Sequence, residues 1–147
     1  MLLGYGAAAG DVVYSDYVTS TNGLRSGHPA TNMFDGSLST YAQNELSSDN
    51  SITVDFSSHP INYTSSVRIY TYAANGYSIT NTYYLNGSSS GTTFVGGSSG
   101  FNGAAWTTVA SGSGTITSIK LRMQRGGSAS SATWYAVEVD GTILVDP

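Results

Sequence analysis

Ala30-Thr31-Asn32-Met33-Phe34-Asp35-Gly36-Ser37-Leu38-Ser39-Thr40-Tyr41-Ala42 is the stretch around which this 147-residue chain is organised. Two large apolar residues, Met33 and Phe34, run directly into Asp35-Gly36. Gly adopts positive φ without steric cost and Asp bonds its own downstream backbone, so the dipeptide predicts a tight turn. Ser39 and Thr40 supply hydroxyls that can cap the same loop. A loop of this kind folds back on itself and closes one end of a β-sandwich.

The strands of that sandwich are read from period-2 alternation. In Ser51–Phe56, Ile52, Val54 and Phe56 oppose Thr53 and Asp55; in Ser66–Tyr72, Val67, Ile69 and Thr71 oppose Arg68, Tyr70 and Tyr72. Ile119, Leu121 and Met123 oppose Lys120, Arg122 and Gln124, and Tyr135, Val137 and Val139 oppose Ala136, Glu138 and Asp140. Further strands are expected at Val12–Val18, Thr82–Leu85, Thr92–Val95 and Thr142–Val145. Trp106–Val109 is expected to pair with Thr115–Met123 across a Ser111–Gly114 turn. Asn86-Gly87 and Asp140-Gly141 are hairpin signals. No segment keeps a 3.6-residue apolar period over three turns, so the expected fold is all-β, a jelly-roll-like β-sandwich with little helix. Its expected core is Ile52, Val54, Phe56, Val67, Ile69, Ile119, Leu121, Val137 and Val139.

Composition narrows the function. The chain has no Cys, five Lys and Arg, a formal charge of −4 and a pI near 4.7. Phosphate binding needs clustered cations, so nucleic acid is not an expected partner. No apolar run reaches the ~20 residues of a membrane span. Residues 1–10 carry no charge and no amphipathic pattern and are read as a flexible or partner-bound arm, followed by one domain over 11–147. Leu2, Leu3 and Tyr5 in that arm are the expected assembly contacts, between copies of the chain or with neighbouring proteins around a symmetry axis. Two His without a motif, two Glu with nothing to bring them together, and no nucleophile elbow or zinc-helix pattern leave no basis for an enzyme. Sugar recognition needs an exposed aromatic and planar hydrogen-bonding side chains; the loops offer Asn75, Tyr77, Arg125 and Trp134, although Trp134 also reads as a lid on the core.

The Ala-x-Asn-x-Phe-Asp-Gly-x-x-x-Thr spacing, the pair Ile-Thr-Val-Asp-Phe and Ser-Val-Arg-Ile-Tyr, and the closing Trp-Tyr-Ala-Val-Glu-Val-Asp-Gly resemble discoidin-like domains, also called coagulation-factor type C or galactose-binding-like jelly rolls. The resemblance runs from about Ala30 to Gly141. It implies a binding domain for glycans, lipid head groups or proteins, and a structural calcium held by Asp35 and Thr40. Where such domains carry a glutamate at the head of the closing strand, this chain has Ala136; the alternative is that Asp35 only caps its turn. The Gly/Ser/Thr/Tyr-rich, Lys-poor composition and the ending Ala-Val-Glu-Val-Asp-Gly-Thr-Ile-Leu-Val-Asp resemble virion surface proteins of tailed phages. The expected role is therefore a non-catalytic capsid decoration, cement or adhesion protein on the virion surface, contacting other virion proteins and cell-surface glycan. The alternative is a carbohydrate-binding module of a secreted bacterial glycan-active protein.

Overall fold

The computed structural model describes residues 12–73, 79–94 and 103–147. Two short 3-10 helices, Tyr14–Tyr17 and Ala30–Met33, accompany twelve strands: β1 (Val18–Ser20), β2 (Ala42–Gln43), β3 (Asp49–Asp55), β4 (Ile61–Tyr63), β5 (Ser66–Ala73), β6 (Ile79–Leu85), β7 (Thr92–Phe94), β8 (Gly103–Ser111), β9 (Gly114–Ile116), β10 (Ser118–Arg125), β11 (Thr133–Val139) and β12 (Thr142–Ile143). One sheet has the order β1-β3-β10-β6-β7 and the other β12-β11-β5-β8, with β2 added to β11; β4 and β9 form a separate pair. All pairings are antiparallel.

Alternation puts the expected side chains inside. All nine are at most 2% exposed and share one core with Met33, Phe34 and Trp134. At roughly 1.5–3 kcal/mol for each fully buried large side chain, this core is the main favourable term against chain entropy. Asp140 (φ 49°) and Gly141 (φ 83°) make the two-residue hairpin between β11 and β12, with Val139 opposite Thr142. Two consecutive positive φ values are the type I′ geometry that matches strand twist.

Three sequence expectations are corrected. Val12–Val18 is mostly not a strand, because Tyr14–Tyr17 coils into a 3-10 turn and only Val18 enters β1. Trp106–Val109 does not pair with Thr115–Met123: β8 lies on β5, while the chain after the turn first pairs as β9 with β4 and then crosses at Thr117 into the other sheet as β10. Tyr135 does not share the inward face of Val137 and Val139, because the β11–β5 register shifts between Trp134 and Ala136. Leu2, Leu3, Tyr5, Asn75 and Tyr77 lie outside the described residues.

Exposed carboxylates tie strands and turns together. Asp140 accepts bonds from the N–H groups of Thr64 (2.9 Å), Ser65 (2.7 Å) and Ser66 (2.9 Å). Asp49 takes a fork from Arg122 (2.9 and 2.6 Å). The Ser66 and Thr64 amides hold Asp140 below the ordinary carboxylate range, and the Arg122 guanidinium does the same for Asp49. A carboxylate with a depressed folded pKa stabilises the fold above its unfolded value, near 3.9, and loses that contribution as pH falls through the folded value. The urea midpoint should therefore stay level from pH 7 to about 5 and fall below about pH 4, with a shallower acid limb in Asp140→Asn.

Candidate functional site

The outward face of the β2-β11-β5-β8 sheet carries a continuous series of aromatic rings. Tyr70 on β5 and Trp106 on β8 are register partners, with ring centroids 5.0 Å apart. Tyr135 on β11 meets Tyr70 edge-on at 5.4 Å. Tyr41, just before β2, meets Tyr135 at 5.0 Å, and His28 stacks on Tyr41 at 4.4 Å and 9°. All five side chains are half-buried, so each ring packs on its neighbours and still presents surface to solvent. Offset and edge contacts of this kind contribute about 0.5–1.5 kcal/mol each beyond burial.

The row depends on a bulge in β11. Trp134 is opposite Thr71 and Ala136 is opposite Tyr70, so the single step from Thr71 to Tyr70 is matched by two residues. A bulge of this type re-aims one side chain. Tyr135, the extra residue, turns out to join the row, and Trp134 turns in. Trp134 is 0% exposed and donates its indole N–H to the Ala136 carbonyl at 2.9 Å. The sequence reading of Trp134 as a sugar platform is therefore corrected: it belongs to the core, and Tyr135 is the outward aromatic of this strand.

A charged pair flanks the row, two residues along β5 from Tyr70. Arg68 donates Nε–H and Nη2–H to the two Glu138 oxygens at 2.6 and 2.8 Å, and its guanidinium lies 4.8 Å from the Trp106 ring centroid. Glu138, opposite Arg68 on the neighbouring strand, is 7% exposed. Its carboxylate hydrogen bonds raise the Arg68 pKa above the ordinary value. Burial, reinforced by Tyr41, Tyr70 and Tyr72, pushes the Tyr135 phenol up. The surface therefore offers ring faces, phenol hydroxyls and a locked guanidinium–carboxylate pair.

The other predicted site residues lie elsewhere. Arg125 ends β10 in the opposite sheet and donates to the Ala129 carbonyl at 3.4 Å, away from the row. Asp35 is exposed, and both its oxygens are engaged: Oδ1 accepts the Ser37 N–H at 2.8 Å and Oδ2 the Thr40 hydroxyl at 2.5 Å. Gly36 has φ 78°, as the tight turn demands. Among the described residues no three His, Asp or Glu side chains gather as metal ligands. Calcium takes six to eight oxygens, carboxylates and backbone carbonyls among them; Asp35 brings one carboxylate, bonded within its own turn. Asp35→Ala should lower stability by about 0.5–1.5 kcal/mol through the lost turn bonds, and chelation should leave the melting temperature of the unaltered protein unchanged. A drop in melting temperature on chelation would favour the calcium reading over the cap.

Sequence reasoning missed His28, Tyr41, Trp106 and Tyr135 as one group. The only signal was compositional, eleven Tyr in 147 residues, because the row draws on five separate segments.

No family model and no curated protein matches the sequence. The fold does match solved structures. Chitosan-binding module 1 derived from a chitosanase/glucanase of Paenibacillus sp. IK-5 superposes with a TM-score of 0.53 at 20% identity, over 84% of this chain and 93% of that one. The fold is that of the galactose-binding-like, or discoidin-like, β-sandwich. A fucosidase of Ruminococcus gnavus, solved in complex with fucose, contains a similar domain: TM-score 0.51, 14% identity, 88% of this chain and 25% of that one. Among the described residues no helix is long and apolar enough to cross a membrane.

Proposed function

We propose that the chain is a non-catalytic glycan-binding domain whose contact surface is the aromatic row on the β2-β11-β5-β8 sheet. The carrying observation is the unbroken series His28, Tyr41, Tyr135, Tyr70 and Trp106, partly exposed and flanked by Arg68 and Glu138. Ring faces pack against the C–H faces of pyranoses, and the phenols and the guanidinium bond their hydroxyls. The chitosan-binding module of the same fold supports the reading. A glycan array probed with the labelled domain tests it: binding is expected and should be lost in Tyr70→Ala. An array on which the unaltered and Tyr70→Ala proteins give the same pattern refutes the role of this face.

The setting we propose is the surface of a tailed-phage particle, supported by the Cys-free, Lys-poor, Gly/Ser/Thr-rich composition; a secreted glycan-active protein is the alternative. Co-sedimentation with intact particles after density-gradient purification is the expected result for the first, and appearance only in the particle-free supernatant is the result for the second. In either setting Leu2, Leu3 and Tyr5 are proposed as contacts to neighbouring subunits, so removal of residues 1–10 should weaken self-association and particle attachment while leaving melting unchanged.

A further inference from the structure

The glycan-binding reading leaves open what length and charge of sugar the face takes. Resting on that reading, we infer that the face binds internal stretches of an extended polysaccharide free of acidic groups, laid across the strands with successive sugar rings meeting successive aromatic rings. Two features carry this.

The first is the shape of the row. Tyr135, Tyr70 and Trp106 sit on β11, β5 and β8, which are consecutive in the sheet, and Tyr41 leads into β2 on the far side of β11. The rings therefore form a line perpendicular to the strands, not a ring around a depression. Their centroid separations of 5.0, 5.4 and 5.0 Å follow the spacing of neighbouring strands, about 4.7–4.9 Å. A site for one terminal sugar encloses its ligand on several sides. A line of partly exposed rings instead offers each sugar of a chain a similar, modest contact, so useful affinity arises only when several sugars engage together.

The second is the charge of the face. Arg68, the cation beside the row, is already forked by Glu138 through Nε and Nη2. An acidic sugar would have to compete with a carboxylate held at 2.6 Å on the same sheet. Beyond contact distance it would meet a protein of net charge −4, which repels anions over roughly the ~8 Å screening length of physiological salt. A neutral hydroxyl can bond the Nη1 edge of Arg68, which lies outside the pair, whereas an anion there meets the repulsion of the adjacent Glu138 carboxylate.

The test is titration calorimetry with manno-, cello- and N-acetylchito-oligosaccharides of one to six units, and with polygalacturonate as the acidic probe. Affinity for at least one neutral series should rise steeply with length, and polygalacturonate should bind more weakly than that series. Trp106→Ala, which removes the last ring of the row, should weaken the hexasaccharide about tenfold and affect the disaccharide far less. Trp106→Phe keeps a ring and should retain most of the affinity, which guards against a folding defect in the alanine variant. Lys120→Ala, on the outward side of the other sheet, should bind as the unaltered protein does. Equal affinity for one and six units, still abolished by Tyr70→Ala, overturns the extended chain and leaves glycan binding in place. Preference for polygalacturonate overturns the charge selectivity. No binding of any probe removes this inference together with the glycan-binding reading.

Discussion

Trp134→Ala is expected to lower the free energy of unfolding by about 3–5 kcal/mol. A single domain of this size is stable by about 5–15 kcal/mol, so the loss takes a large share of the total. Trp134 is the largest of the fully buried side chains, sits at 0% exposure and faces Thr71 across the β11–β5 ladder. Truncation leaves a cavity that a sandwich held by ladders on both sides closes only in part. It also removes the indole N–H from the Ala136 carbonyl at the bulge. Urea denaturation at 25 °C measures the effect, and a loss below about 1 kcal/mol would contradict the packing described. Trp134→Phe should recover part of the stability and leave glycan binding unchanged, because this ring does not touch solvent.

Asp146→Ala should cost about 2–3 kcal/mol, the second large effect. Asp146 Oδ1 accepts the Tyr14 N–H at 2.7 Å, and Oδ2 accepts the hydroxyl of buried Ser15 at 2.5 Å. The first bond, with a longer one of 3.4 Å from the Ser15 N–H to the same oxygen, caps the N-terminal amides of the 3-10 turn. Tyr14 in turn packs its ring on Phe34 at 5.5 Å and Phe56 at 6.1 Å, so releasing the turn loosens an aromatic corner of the core. Asp146→Asn keeps an acceptor and should lose less. Amide exchange at Tyr14 and Ser15 provides the local readout: it should accelerate in Asp146→Ala, and unchanged exchange would refute the cap.

What was legible in the sequence was whatever depends on neighbours along the chain. Ile52, Val54, Phe56, Val67 and Ile69 are buried as alternation requires, and the turns at Asp35-Gly36 and Asp140-Gly141 have the backbone their residues favour. The errors have long-range causes. Val12, Val13 and Tyr14 carry the apolar, β-prone character of a strand, but a carboxylate more than 130 positions away fixes this turn as 3-10. Strand β8 has no local mark telling it to choose β5 over β10. The bulge at Tyr135 exchanged the two aromatics of Trp134-Tyr135 between the faces, since one extra residue reverses alternation for everything before it. The candidate site was legible least of all. No pattern along the chain joins His28 to Tyr41, Tyr135, Tyr70 and Trp106; only the strand order does.

The Asp146 bridge has a further consequence, for how the domain can be rewired. With the Tyr14 amide 2.7 Å from the Asp146 carboxylate, the path of the described chain returns almost to its starting point. With residues 1–11 removed, a short linker would close it into a loop, and the chain could be reopened at the exposed turn around Gly127. Such a circular permutant keeps the strand pairings and the aromatic row while changing the order in which they are synthesised. The same closeness would let the domain be grafted into a surface loop of another protein without forcing the ends of that loop apart.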